Sequence, residues 1–137
     1  MGIYNKLYRS YLESKGFMVH PSLSKEDIIT FFISTDLFPK VKVIMDFRDE
    51  EDSCNIMFMG FGTVPEHLWS DAVAICNILN LRYRFAKFSL DKADGFRIEM
   101  DVRMNNNIKW VELCTDVWKD MSYIFIHCEK DFQSFLS

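Results

Sequence analysis

The sequence predicts a single α+β domain over residues 1–137: a five-stranded antiparallel sheet with helices, in the order α-β-β-β-α-β-β-α. Three observations carry this. Apolar residues recur at three- and four-residue spacing in three segments, and strand-type residues fill five others. The strand-like segments come in hairpin-linked runs, three and then two, which is the pattern of an antiparallel sheet. A chain of 137 residues, 49 % apolar and 15 % aromatic, has enough apolar mass for one core without disulfides or metal.

The first helix spans 3–15, with Ile3, Tyr4, Leu7, Tyr8, Tyr11 and Leu12 at helical spacing and Gly16 as its stop. Phe17 to Pro21 is extended, because Pro21 disfavours a helical His20. Residues 27–34 are β-branched and aromatic, a strand. After a turn at Leu37-Phe38-Pro39, Val41, Val43, Met45 and Phe47 alternate as a second strand. Arg48 to Asp52 forms an acidic, solvated hairpin loop, and 54–61 is a third strand. Thr63-Val64-Pro65-Glu66 starts the middle helix, with Thr63 as cap and Pro65 in the first turn. This helix runs to about Arg82. Strands 86–91 and 96–103 flank Lys92-Ala93-Asp94-Gly95, whose Asp-Gly pair suits a tight hairpin. Asn105-Asn106-Asn107 caps a last helix over 107–135. Its stripe is Trp110, Cys114, Val117, Trp118, Met121, Phe125, Cys128, Phe132 and Phe135.

Composition excludes several classes. Sixteen Lys and Arg against twenty Asp and Glu leave a net charge of −4, which argues against nucleic acid as a partner. No apolar run approaches the ~18 residues of a membrane span, and the N-terminus has no signal layout, so no membrane partner is expected. Gly2 fails the myristoylation pattern because position 6 is Lys. Cys54, Cys76, Cys114 and Cys128 have no Cys-x-x-Cys spacing and read as free, buried thiols of a cytoplasmic protein.

The candidate chemistry is thin. His20, His67 and His127 have no metal-ligand spacing with each other or with the cysteines. Asp49-Glu50-Glu51-Asp52 lacks the alternation, glycine and terminal Glu of a calcium loop. Gly60-Phe61-Gly62 stands between strand and helix as a phosphate loop would, but no Lys or Arg follows and Pro65 removes an amide donor, so it reads as a plain turn. Arg82, Arg84 and Lys87 among aromatics read as cations at a helix C-terminus followed by an alternating strand. No catalytic residue, cofactor or metal is expected.

One feature exceeds a bland domain. A sheet covered on one face alternates apolar with polar residues. The first three strands are apolar at both parities, so their second face needs a cover, either the chain's own helix or a protein partner. The residues taken for that face are Ile29, Phe31, Ile33, Ile44, Met57 and Met59.

The stretch Cys76-Asn77-Ile78-Leu79-Asn80-Leu81-Arg82-Tyr83-Arg84-Phe85-Ala86-Lys87-Phe88, followed by Asp94-Gly95, resembles the YbjN-like family of bacterial proteins, described as candidate sensory transduction regulators. There too a helix ending in Asn and apolar residues runs into a Lys-Phe strand and a short acidic hairpin. The resemblance covers nearly the whole chain in element order. It implies the fold of type III secretion chaperones and a non-enzymatic regulator acting by protein binding. The alternatives are a secretion-type chaperone binding an extended partner segment and a small-molecule-binding domain. The family brings no catalytic residues. Chaperones of this fold are commonly homodimers, and the middle helix has an apolar arc wider than one sheet contact needs, so a homodimer burying Trp69, Val73 and Ile78 is expected.

Overall fold

The computed structural model describes residues 2–20 and 27–136. Its elements are α1 (Ile3–Ser14), β1 (Ile28–Ile33), β2 (Val41–Arg48), β3 (Ser53–Met59), α2 (Trp69–Arg82), β4 (Lys87–Asp91), β5 (Gly95–Arg103) and α3 (Trp110–Gln133). The predicted order α-β-β-β-α-β-β-α is the observed one. All strand pairs are antiparallel, and the strands lie side by side as β1-β2-β3-β5-β4. Pro21, which ended the extended segment read from sequence, lies outside the described residues. Within that segment the His20 amide donates to the Thr30 carbonyl at 2.8 Å, so the chain runs beside the edge strand β1.

Strand register sorts the side chains. Ile29 faces Met45, and Met45 faces Ile56; Phe31, Val43, Phe58 and Ile98 form the next row of the same face. All of these are fully buried. The helical stripe of α3 lies on them: Trp118 meets Phe31 at a ring separation of 5.4 Å, Phe125 meets Phe61 at 4.9 Å and Phe132 meets Phe96 at 4.6 Å. The core is thus an aromatic seam between one sheet face and one long helix, and burial of each such ring contributes on the order of 2–3 kcal/mol.

α1 closes the β1–β2 end. Trp118 Nε1 donates to the Tyr8 hydroxyl at 2.8 Å, Tyr8 donates to Thr115 Oγ1 at 2.6 Å, and Thr115 donates to the Val111 carbonyl at 2.8 Å. Every polar atom of this buried relay has a partner, as burial requires. Burial pushes the Tyr8 phenol well above its ordinary pKa, the hydrogen bonds opposing only in part.

Two caps differ from the reading above. Thr63 does not cap the middle helix. Pro65 is extended at ψ 146° and directly precedes a 3-10 turn, Glu66–Leu68, that leads into α2 without a side-chain cap. Because Pro65 keeps an extended ψ, the turn starts only after it, and Thr63 stands two residues before the capping position. α3 begins at Trp110 rather than 107, because Asn105 and Asn106 both take the left-handed conformation and form a separate turn. Asn107 still contributes: its side-chain oxygen accepts from the Lys109 amide at 2.9 Å.

The acidic hairpin is more than a wet tip. Asp49 Oδ2 accepts from the Ile3 amide at 3.0 Å, serving the start of α1 from another element. Asp52 sits at φ 54° and its carboxylate accepts from the Tyr4 hydroxyl and, at 2.5 Å, from the Asn106 amide. Two acids of one loop thereby tie together the entries of α1 and α3.

Candidate functional site

The open face of the sheet follows from the same register. Thr30, Ile44, Met57 and Glu99 form one row across β1, β2, β3 and β5; Phe32, Lys42 and Met59 form another. Ile28, Phe32, Ile44 and Met57 are half-buried there, while Met59 and Thr30 are buried. The Lys40 ammonium sits 4.4 Å from the Phe32 ring centroid, and His20 meets the same ring at 5.8 Å. Toward β5 the face turns polar, with Asn55 donating to Asp101 at 2.8 Å and Arg48 paired to Asp46 at 3.1 Å.

The six residues taken for a second face do not share one surface. Ile44, Met57 and Met59 lie on the open face. Ile29 and Phe31 are 0 % exposed and lie under α3 with Ile33 on the same side. A strand alternates with period two, so the parity of β1 had to be matched to β2, and only the pairing of Ile29 with Met45 does that. The residues of β1 that belong with Ile44 and Met57 are Ile28 and Phe32. Their signal was present as the other parity of the same apolar run.

The middle helix offers a second surface. Its buried side is Ala72, Cys76 and Leu79, packed toward β4. At 100° per residue, Val73 and Ile78 stand roughly 140° apart on either side of Leu81, with Trp69 at the rim. Val73 is 38 % exposed, Ile78 49 % and Leu81 85 %; Trp69 is half-buried. Leu81, with Phe85 at 82 % exposure beyond the helix, is the part of this surface that sequence reading left out.

A cleft of about 570 Å³ opens between the start of α2 and the β4–β5 hairpin, lined by Val64, Glu66, Trp69, Ser70 and Lys92. Its wall is fixed by a close approach: Gly95 at φ 78° stands so near the Gly62 carbonyl that a Cβ there would fall 2.1 Å from the oxygen. Gly60-Phe61-Gly62 therefore serves packing, with Phe61 buried among Phe38, Phe125 and Phe132. Among the described residues no three His, Cys, Asp or Glu side chains gather as metal ligands. His127 stacks edge-on against Tyr123 at 4.2 Å on the outer side of α3. The four cysteines are free and buried. Burial pushes three of the thiols up, Cys76 to about 11, Cys128 to about 12, and Cys54 well above its ordinary value with Cys114 beside it.

These elements define a class: a two-layer α+β domain with one helix-covered sheet face and a second face that, among the described residues, no helix covers. No family model and no curated protein matches the chain. Among solved structures the chain is similar to YbjN from E. coli, a proposed transcription regulator, at a TM-score of 0.68 and 11 % identity over 96 % of this chain and 94 % of that one. The chain has a YbjN-like fold. No described helix is long and apolar enough to cross a membrane.

Proposed function

We propose that this protein is a non-enzymatic interaction module of the YbjN-like type, a cytoplasmic regulator that works by binding another protein. The observation that carries the reading is the apolar half of the open sheet face, Ile28, Phe32, Ile44 and Met57, with all three helices assigned to the other face or the β4 edge. Methionine suits adaptable contacts, and the Lys40 and Lys42 rim gives the patch a polar border. The description of the similar YbjN structure as a proposed regulator supports a binding role over a catalytic one. Affinity capture from the native host tests it. A specific partner should be retained by the wild type and lost by Ile44→Asp with Met57→Asp at unchanged thermal stability. Equal retention by both proteins overturns the assignment of this face.

A homodimer through α2 is the second part of the proposal, supported by the exposure of Val73 and Ile78 on a helix whose buried side is already satisfied. Trp69 would close the rim of a two-fold contact. Light scattering on a size-exclusion column decides it: a single-chain mass throughout a wide dilution series sinks the dimer. A dimer that survives Trp69→Glu with Val73→Glu moves the contact elsewhere.

A further inference from the structure

Residues 72–90 contain no Asp or Glu but hold Arg82, Arg84 and Lys87, in a chain whose net charge is −4. The acid-free stretch covers most of α2, the turn after it and most of β4. Its exposed apolar side chains are most prominent at one corner. Exposure climbs along the helix from 38 % at Val73 to 85 % at Leu81, and stays at 82 % for Phe85. Side chains this exposed stand out from the surface. Arg82 and Arg84 flank them, also exposed, and neither has an ion pair among the described residues. Lys87 reaches Glu99 only at 3.9 Å.

The corner is held from below. The Asn80 side chain bonds both backbone groups of Phe88, at 2.9 and 2.7 Å, so the end of α2 is fixed to β4. Tyr83, half-buried, lies against the Phe88 ring at 5.9 Å. The segment that carries Leu81 and Phe85 is thus anchored at Asn80, Tyr83 and Phe88, and its two apolar tips need not be ordered by a partner.

We propose that this corner is a docking point for an anionic lipid bilayer, with Leu81 and Phe85 entering the interface and Arg82 and Arg84 meeting lipid phosphates. It is a surface contact and not a span, which departs from the expectation of no membrane partner, and Leu81 lies one helical turn beyond Ile78, so bilayer contact and the proposed α2 dimer compete for this end of the helix. The choice of a bilayer over a protein follows from shape and area. Leu81 and Phe85 bury at most a few hundred Å², whereas a stable protein interface needs about 800 Å² on each partner, so a protein seated here would have to extend over Ile78 and Val73. A rigid partner has to supply a matching groove to wet a protruding tip on all sides; a fluid interface closes around it. Aromatic and aliphatic tips collared by arginine suit the boundary between headgroups and acyl chains, where each basic residue adds to attraction by anionic lipid.

Sedimentation with extruded vesicles of phosphatidylcholine containing about one-third phosphatidylglycerol tests the proposal. Two arginines predict roughly 30-fold stronger partition onto these vesicles than onto pure phosphatidylcholine. The preference should shrink at high salt. Leu81→Ser with Phe85→Ser should abolish binding, and Arg82→Gln with Arg84→Gln should erase the lipid preference, both without changing the melting temperature. No binding to the anionic vesicles overturns the proposal. So does binding that survives loss of Leu81 and Phe85, which would be charge adsorption alone. The oligomeric mass of the same variants, measured in parallel without lipid, separates this result from the fate of the α2 dimer.

Discussion

The side chain of Asn80, on the last turn of α2, takes both backbone groups of Phe88: its Nδ2 donates to the Phe88 carbonyl at 2.9 Å, and its Oδ1 accepts from the Phe88 amide at 2.7 Å. β4 is an edge strand, and outward backbone groups on an edge invite pairing with another chain. One amide side chain thus occupies a site where a foreign strand would begin. Asn80→Ala removes two hydrogen bonds at about 1 kcal/mol each, so a urea titration should show a loss of about 2 kcal/mol. The variant should also aggregate more readily than a core variant destabilised by the same amount. Wild-type stability in Asn80→Ala would show that the bidentate contact contributes nothing.

Trp118 combines packing on Phe31 with donation to Tyr8. Trp118→Ala should cost about 3–5 kcal/mol, and Trp118→Phe less, since it keeps the ring but strips the Tyr8 hydroxyl of its donor. Lys119 and Lys130, exposed on α3, should tolerate alanine within about 0.5 kcal/mol. Equal losses from both sets would place the wrong side of α3 in the core.

Gly95→Ala should destabilise by about 3 kcal/mol or more, because the added carbon meets the Gly62 carbonyl and φ is 78°. Gly16→Ala is the control: its φ is also positive, at 86°, but a Cβ there meets nothing within 4 Å. A similar loss at both positions would leave conformational strain, and not the hairpin contact, as the cause.

Alkali should loosen the junction of α1, α3 and the acidic hairpin. The hydrogen bond to Asp52, then desolvation, pushes the Tyr4 phenol up to about 12 from an ordinary value of 10.0. A raised folded pKa gives stability that is whole below the unfolded value and lost as pH climbs to the folded one, here between about 10 and 12. Tyr4→Phe should be less stable at neutral pH and should flatten this part of the pH profile, with the buried thiols supplying what slope remains. An unchanged alkaline slope in Tyr4→Phe would remove Tyr4 from the account.

All four thiols should resist iodoacetamide at neutral pH and react fully in denaturant, because all four are buried and burial holds Cys54, Cys76 and Cys128 away from the reactive thiolate. Reducing agent should leave the melting temperature unchanged. Mass spectrometry that finds a disulfide, with Cys54 and Cys114 the adjacent pair, would contradict the free-thiol assignment.

The order of elements, the antiparallel sheet, the Asp-Gly hairpin and the inward stripe of α3 were legible in sequence. Each depends on local periodicity or turn chemistry, which a short window contains. The phase of α3 carried Trp118, Phe125 and Phe132 into the core without knowledge of what they meet. Whatever depended on two distant segments had to wait for the fold. Both parities of β1 are apolar, so Phe31 and Phe32 could exchange faces until the pairing of Phe31 with Val43 broke the tie. Asp49 and Asp52 read as solvated because charges in a turn usually are; their amide partners, Ile3 and Asn106, lie about fifty residues away in the chain. Asn80 read as one polar position in a helix end, and only the arrival of β4 beside it made that amide the closure of a sheet edge. Local patterns specify which elements form. Which polar groups become partners, and which apolar ones stay uncovered at Leu81 and Phe85, is decided when those elements pack and their side chains meet or miss one another.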